Sequence, residues 1–312
     1  MGSDVIKAGS MSRLELAVAN LPTGNKISLP VAVLHGKKQG PCIWLSAAVH
    51  GDELNGIAVI QSVVDSIDPK KLSGTLIALP VINVFGLINH SRYLPDRRDL
   101  NRSFPGSLRG SLASQLADLF VREVMRRCDF GIDIHTGSGG RCNLPQIRAD
   151  LDDKKTARLA KAFGAPATIH AQLRRGSLRA AAVDLGIRTL LYETGDAYRF
   201  DKSGIRCGIN GILAVMKSLG MLEQAPENRG SKSFVAQSST WVRSKRSGFC
   251  ELAVELGEYV KSGQQIASVF TPLGKERSRM RAESDGMVIG IQRHALVNKG
   301  DAIIHIAERI KT

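Results

Sequence analysis

The apolar run at 42–49 is continuous rather than alternating, and further strands are read at 75–81, 130–135 and 188–193. A strand that is apolar at successive positions is buried on both faces, the condition of a parallel sheet covered by helices. Between these strands the period changes. Ile57, Ile60, Val63, Val64 and Ile67 recur at helical spacing, as do Leu112, Leu116, Leu119, Phe120 and Val124. Further helices are expected over 152–163, 177–185 and 203–219, with a short strand at 167–170. This alternation predicts an α/β domain over residues 1–222, with a mostly parallel mixed sheet flanked by helices. Ahead of it, 14–18 reads as an edge strand and 27–35 as a strand. Gly36, Gly40 and Pro41 mark 36–41 as a turn. The stretch 83–109, rich in Arg, Asp, Asn and Pro, is a loop long enough to signal function.

Beyond a polar linker at 223–233, which holds Pro226 and Gly230, the helical period is lost. Residues 234–312 read as a small C-terminal β-module. Val260, Gly263, Ile266 and Val269 are echoed by Val297, Gly300, Ile303 and Ile306 at the same spacing, so the module has two similar halves. It resembles the barrel-sandwich of biotinyl and lipoyl carrier domains. Those carry a modified lysine between the halves, flanked by Met or by Asp and Ala. Lys275 has neither context, so a structural or gating role is expected rather than a carrier one.

Composition excludes several classes. Of 312 residues, 43% are hydrophobic and 23% charged, as in ordinary globular proteins, and no apolar run approaches the length of a membrane span. The first residues lack the basic-then-apolar order of a secretory signal, so a cytoplasmic protein with no membrane partner is expected. Five scattered cysteines without a Cys-x-x-Cys pair argue against a disulfide framework and a thiolate zinc site. A net charge of +14 brings nucleic acid into consideration. The basic residues are dispersed, however, aromatics are 5%, and no nucleic-acid-binding motif occurs. A small anionic substrate is the expected partner, and homo-oligomerisation is left open.

Three groups with acid/base or metal chemistry end three of the strands: His50, His135 and Glu193. In open α/β sheets ligands bind at the carboxyl ends of the strands, so the three belong on one rim. His50-Gly51-Asp52-Glu53 alone is a pattern that chance produces often. With His135, two imidazoles and one carboxylate match catalytic zinc, which keeps a coordination position open. One Zn2+ per chain is expected. Asp133, two residues before His135, reads equally as the group orienting that imidazole or as a capping carboxylate. Glu193 is left to serve as general base. The long loop adds Arg92, Arg97, Arg98 and Arg102, with Asn101, for carboxylate binding or oxyanion stabilisation. His35, His90, His170, His294 and His305 have no comparable spacing and are read as structural or solvated.

The segments His50-Gly51-Asp52-Glu53, Asp99-Leu100-Asn101-Arg102, Asp133-Ile134-His135-Thr136-Gly137 and Glu193-Thr194-Gly195 follow in this order. Together they resemble the succinylglutamate desuccinylase/aspartoacylase family, which has the zinc carboxypeptidase-like fold and an appended β-module. The resemblance implies His50, Glu53 and His135 as zinc ligands and Glu193 as general base. It implies Asn101 and Arg102 as binders of a substrate carboxylate and Arg92, in Ser91-Arg92-Tyr93, as the oxyanion-stabilising arginine. Arg179 would be a further substrate-binding arginine; its spacing and that of Arg92 depart from the family pattern. The implied activity is zinc-dependent hydrolysis of the amide of an N-acyl amino acid or related small amide. A carboxypeptidase on peptides and a non-catalytic metal-binding homologue are the alternatives.

Overall fold

The computed structural model describes residues 5–226, 233–274 and 277–309. Lys275 and most of the expected linker, 227–232, lie outside the described residues. The first part of the chain forms β1 (Ser10–Asn20), β2 (Lys26–His35), β3 (Lys38–Ala47), α1 (Asn55–Ser66), β4 (Ser73–Leu79), the short α2 (Val84–Ile88), α3 (Leu112–Glu123) and β5 (Phe130–Gly137). It continues with β6 (Arg141–Ala149), α4 (Lys154–Phe163), β7 (Ala167–His170), α5 (Leu178–Asp184), β8 (Arg188–Asp196) and α6 (Lys202–Ser218). The last part is all strand: β9 (Phe234–Arg243), β10 (Gly248–Leu252), β11 (Tyr259–Val260), β12 (Gln265–Phe270), β13 (Arg277–Arg281), β14 (Gly286–Gln292), β15 (Leu296–Val297) and β16 (Ala302–Arg309).

The continuous run and the three other strands read with it are neighbours in the middle of one sheet, in the parallel order β4-β3-β5-β8. Each face of these strands meets a different helical layer. Ile43, Leu45, Phe130, Ile132 and Ile134 pack with α1, α4 and α6, whereas Trp44 packs with α3 and α5. Burial of both faces is what made the run at 42–49 visible as unbroken. β1 and β2 extend the sheet antiparallel at one edge.

Two segments differ from their sequence reading. The stretch 36–41 is not all turn, because β3 begins at Lys38 and bulges before Cys42. There the backbone of Gly40 crosses that of Gly74 so closely that a Cβ would lie 2.8 Å from Gly74 N. The long loop is also partly ordered, by α2 and by a single 3-10 turn at Leu100–Arg102.

The module repeat is structural. Each copy is a two-residue strand, a glycine turn (Gly263 φ 82°, Gly300 φ 93°) and a longer strand. Val260, Ile266, Val297 and Ile303 from the two copies fill one core. The copies interlock: β10 pairs with β15 and β14 with β11, so each half completes the other half's sheet. β14 also pairs with β6, and β9 with β7, so the large sheet runs on into these strands. No helix among the described residues is long and apolar enough to cross a membrane.

Gly131 lies where the Trp44 indole crosses β5, and a Cβ there would sit 2.0 Å from the ring. Trp44 is fully buried, with its edge against Phe120 at 6.3 Å between centroids. It has no room to retreat. Gly131→Ala should lower stability by about 1–3 kcal/mol, the usual cost of overpacking. An unchanged urea midpoint would refute this account of the contact.

Candidate metal and active site

β3 ends in a tight exit that sets the first two groups. Ala48 adopts the left-handed region (φ 46°), and Ala47 and Ala48 accept hydrogen bonds from Ile82 and Asn83 N–H. Gly51 then runs against α2, where a Cβ would lie 1.9 Å from the Gly86 backbone. Only glycine permits that approach. It turns His50 and Glu53 to the same side, with His50 Nδ1 2.6 Å from Glu53 Oε1. His135 comes from β5, the strand beside β3, and its Nδ1 is 2.8 Å from Glu53 Oε2. Thr136 N–H donates to the same oxygen at 3.1 Å.

Each imidazole is held from behind by another carboxylate. His135 Nε2 is 2.7 Å from Asp133 Oδ2, and Asp133 in turn accepts from the Ser46 hydroxyl at 2.7 Å. Of the two readings of Asp133, the geometry has it bonding the imidazole. His50 Nε2 is 3.2 Å from Asp99 Oδ1. With both Nε2–H groups donated backwards, both Nδ1 lone pairs face the Glu53 carboxylate. Such a set of mutually facing acceptors needs positive charge between them. Burial opposes charge on all three groups, yet the carboxylates raise both imidazole pKa values and the imidazoles hold Glu53 below the usual carboxylate range. One ligand atom from each of His50, Glu53 and His135 lies within 4.8 Å of the others, and all three residues are buried. Two nitrogens and a carboxylate, with the rings oriented by carboxylates behind them, suit a zinc ion.

Arg92 reaches this cluster from the loop. Its Nη2 donates to Asp99 Oδ2 at 3.0 Å, and its Nη1 lies 3.2 Å from His50 Nδ1 and 3.4 Å from Glu53 Oε1. Asp99 therefore bridges His50 and Arg92, a task its sequence motif did not reveal. Glu193, on β8, is the register partner of His135 across the β5–β8 pair. Its Oε2 accepts from Asn143 Nδ2 at 2.8 Å, its Oε1 stands 3.9 Å from Arg148 Nε, and burial raises its pKa.

These groups line one cavity of about 590 Å³, to which Asn101, Arg102 and Arg179 also contribute. Asn101 is buried and its Oδ1 accepts from Leu178 N–H at 2.9 Å, while Arg102 is exposed. Arg179 is buried at the start of α5, where it donates to Ala171 O and Gln172 O. Arg97 and Arg98 are not among the lining residues. The far wall holds groups the sequence reading passed over: Arg141, Asn143 and Arg148 from β6, and Ser239 and Trp241 from β9. His170 also lines the cavity. β6 carried no apolar run to announce it.

The family model of the succinylglutamate desuccinylase/aspartoacylase catalytic domain matches residues 39–219. The N-alpha-acetyl-L-2,4-diaminobutyric acid deacetylase of Halomonas elongata is 31% identical over 313 residues, 96% of this chain and 91% of that protein. The crystal structure of a succinylglutamate desuccinylase/aspartoacylase from Rhodobacter sphaeroides is similar with a TM-score of 0.89 at 25% identity, covering 99% of each chain. The product-bound ectoine utilization protein EutE (DoeB) of Ruegeria pomeroyi shares the fold, with a TM-score of 0.86 at 24% identity over 96% of this chain and 94% of that one. Matched by the family model over more than half its length and by a relative over nearly all of it, this chain belongs to the succinylglutamate desuccinylase/aspartoacylase family.

Proposed function

We propose that the protein is a zinc-dependent amidohydrolase that removes the acyl group from a small N-acyl amino acid. The observation that carries this is the buried His50–Glu53–His135 set, with Glu193 on the neighbouring strand facing the same cavity. The family and the deacetylase named above support an amide as the bond that is cut. Residues 1–222 would supply the chemistry. The module at 234–312 would close the far side of the cavity with Ser239 and Trp241, which favours a small amide over a long peptide.

His50, Glu53 and His135 would hold the ion. When bound, zinc supplies Lewis acidity for the amide carbonyl and lowers the pKa of the attacking water towards about 7. Glu193 would take a proton from the attacking water and return it to the leaving amine. Asn143 fixes one carboxylate oxygen of Glu193, so the other is left to handle the proton. Arg92, held by Asp99 beside His50, stabilises the oxyanion as the carbonyl becomes tetrahedral. Asn101 and Arg102 orient the substrate carboxylate.

Two measurements test this reading. Glu193→Gln should retain its zinc and lose about 10²–10⁴-fold in kcat on N-acetyl amino acids, the range of a general base. Full activity in that variant, or hydrolysis that survives complete chelation of metal, would sink the proposal. Asp133→Ala removes the carboxylate behind His135 and should weaken zinc binding by about 10–100-fold. Competition with a chromophoric chelator reads that loss, and equal affinity in both proteins would show that Asp133 does not orient a ligand.

A further inference from the structure

At the other end of the strands from the metal-binding rim, two thiols touch. Cys42 near the start of β3 and Cys128 just before β5 have their sulfurs 3.5 Å apart. Cys128 is 7% exposed, Cys42 is half-buried, and both belong to the core between the sheet and α3. Cys42 stands eight residues before His50 and Cys128 seven before His135. At the rise of a strand, roughly 20 Å separates the pair from the rim.

The backbone keeps the sulfurs in contact. β3 and β5 pair in parallel from Ile43 and Phe130 onward. One residue earlier, Asp129 N–H donates to Cys42 O at 2.7 Å, and the Asp129 carboxylate accepts from Cys42 N–H at 2.8 Å. Cys128 N–H donates to Met125 O at 3.0 Å, at the end of a 3-10 turn. Closing the gap to the about 2.0 Å of a disulfide therefore takes rotation about the two side chains and no shift of strand register.

The two thiols are not equivalent. The hydrogen bond from Cys128 S–H lowers the pKa of the Cys42 thiol, and the Arg127 guanidinium acts with it, against burial and the Asp129 charge. The same contact, reinforced by burial, pushes the Cys128 thiol up. The thiolate is the nucleophile, so the more exposed Cys42 is the sulfur that meets a reagent first. Cys142, Cys207 and Cys250 differ. Burial raises each of these thiols, and none has a sulfur partner among the described residues.

We propose that Cys42 and Cys128 are a peroxide-oxidisable dithiol whose disulfide staples β3 to β5. The Cys42 thiolate attacks one peroxide oxygen. An S–O bond forms, the O–O bond breaks, and the departing hydroxide is protonated to water. The Cys128 sulfur then attacks the Cys42 sulfur. The S–S bond forms, the S–O bond breaks, and hydroxide leaves with the Cys128 proton as a second water. The two sulfurs give up two electrons and the peroxide takes them up. A dithiol reductant reverses the bond by exchange. The staple joins residues 86 apart in sequence, on the two strands that bring His50, Glu53 and His135 to the rim. It raises resistance to unfolding and stops the oxidation of Cys42 short of the irreversible sulfinic acid. No catalytic group takes part.

The full-length protein, reduced and then freed of reductant, is treated with a small excess of hydrogen peroxide. Its mass should fall by about 2 Da. Free thiols should drop from five to three, and a peptide map should join Cys42 to Cys128. Dithiothreitol should restore all five thiols. In Cys128→Ser, Cys42 should be trapped as a sulfenic acid that dimedone labels, whereas Cys42→Ser should leave Cys128 unlabelled. The oxidised protein should melt about 5 °C or more above the reduced one, a rise absent from both variants. A mass gain from oxygen on Cys42 without a link to Cys128, or a link between other cysteines, overturns the pair. A Tm that stays or falls on oxidation overturns the staple even where the bond forms. Both of these outcomes are read on the unaltered protein, so a serine variant that folds poorly does not shield the proposal.

Discussion

The rim of this sheet is organised by a single carboxylate. Glu53 is 2% exposed and meets four partners at once, both imidazoles, the Thr136 N–H and the Arg92 guanidinium. A carboxylate so deeply buried is tolerable only when its oxygens are matched by positive charge and hydrogen bonds. Every neighbouring element serves that need. β3 exits through the Ala48 and Gly51 backbone to bring His50 and Glu53 together, and β5 supplies His135. Ser46, Asp133 and Asp99 then fix the two rings. Because each partner also depends on the next, the network behaves as one unit. Removing one member leaves others buried and unpaired.

The central part of this arrangement was legible in the sequence for a physical reason. Strands β3, β4, β5 and β8 are covered on both faces, so their central positions are mostly apolar and the exceptions stand out. His50, His135 and Glu193 are such exceptions, His50 just beyond the end of β3 and the other two inside β5 and β8 near their carboxyl ends. β6 was illegible for the converse reason. Its segment Arg141-Cys142-Asn143-Leu144-Pro145-Gln146-Ile147-Arg148-Ala149 faces a polar cavity and carries a proline, so neither period nor composition marks it as a strand. Asn143 and Arg148 went unnoticed with it. The turn signal at Gly40-Pro41 misled in another way. Gly40 serves there to let two backbones cross at a bulge, not to reverse the chain.

The histidines show the same limit of spacing arguments. His305 has no motif around it and was read as structural or solvated. It is structural, but its neighbours give it a particular task. Stacked on Trp241 and donating to Ser239, it presents a lone pair to Arg148 of β6. Such a contact depends on two segments 157 residues apart in sequence, which no local pattern can encode.

The pairing of β14 with β6 sets Gly290 opposite Asn143 and Gln292 opposite Arg141. The far wall is consequently a strand neighbour and not a hinged lid, and swinging it away would break ladder hydrogen bonds. β6 also holds the carboxylate of Glu193 through Asn143 and presents Arg141 and Arg148 to the cavity. A substitution that moves β6 to change which amide fits would therefore disturb Glu193, the proposed general base. Under the proposed function, selectivity and turnover are mutationally linked through β6, and an evolutionary path to a new substrate would pass through variants in which both change together.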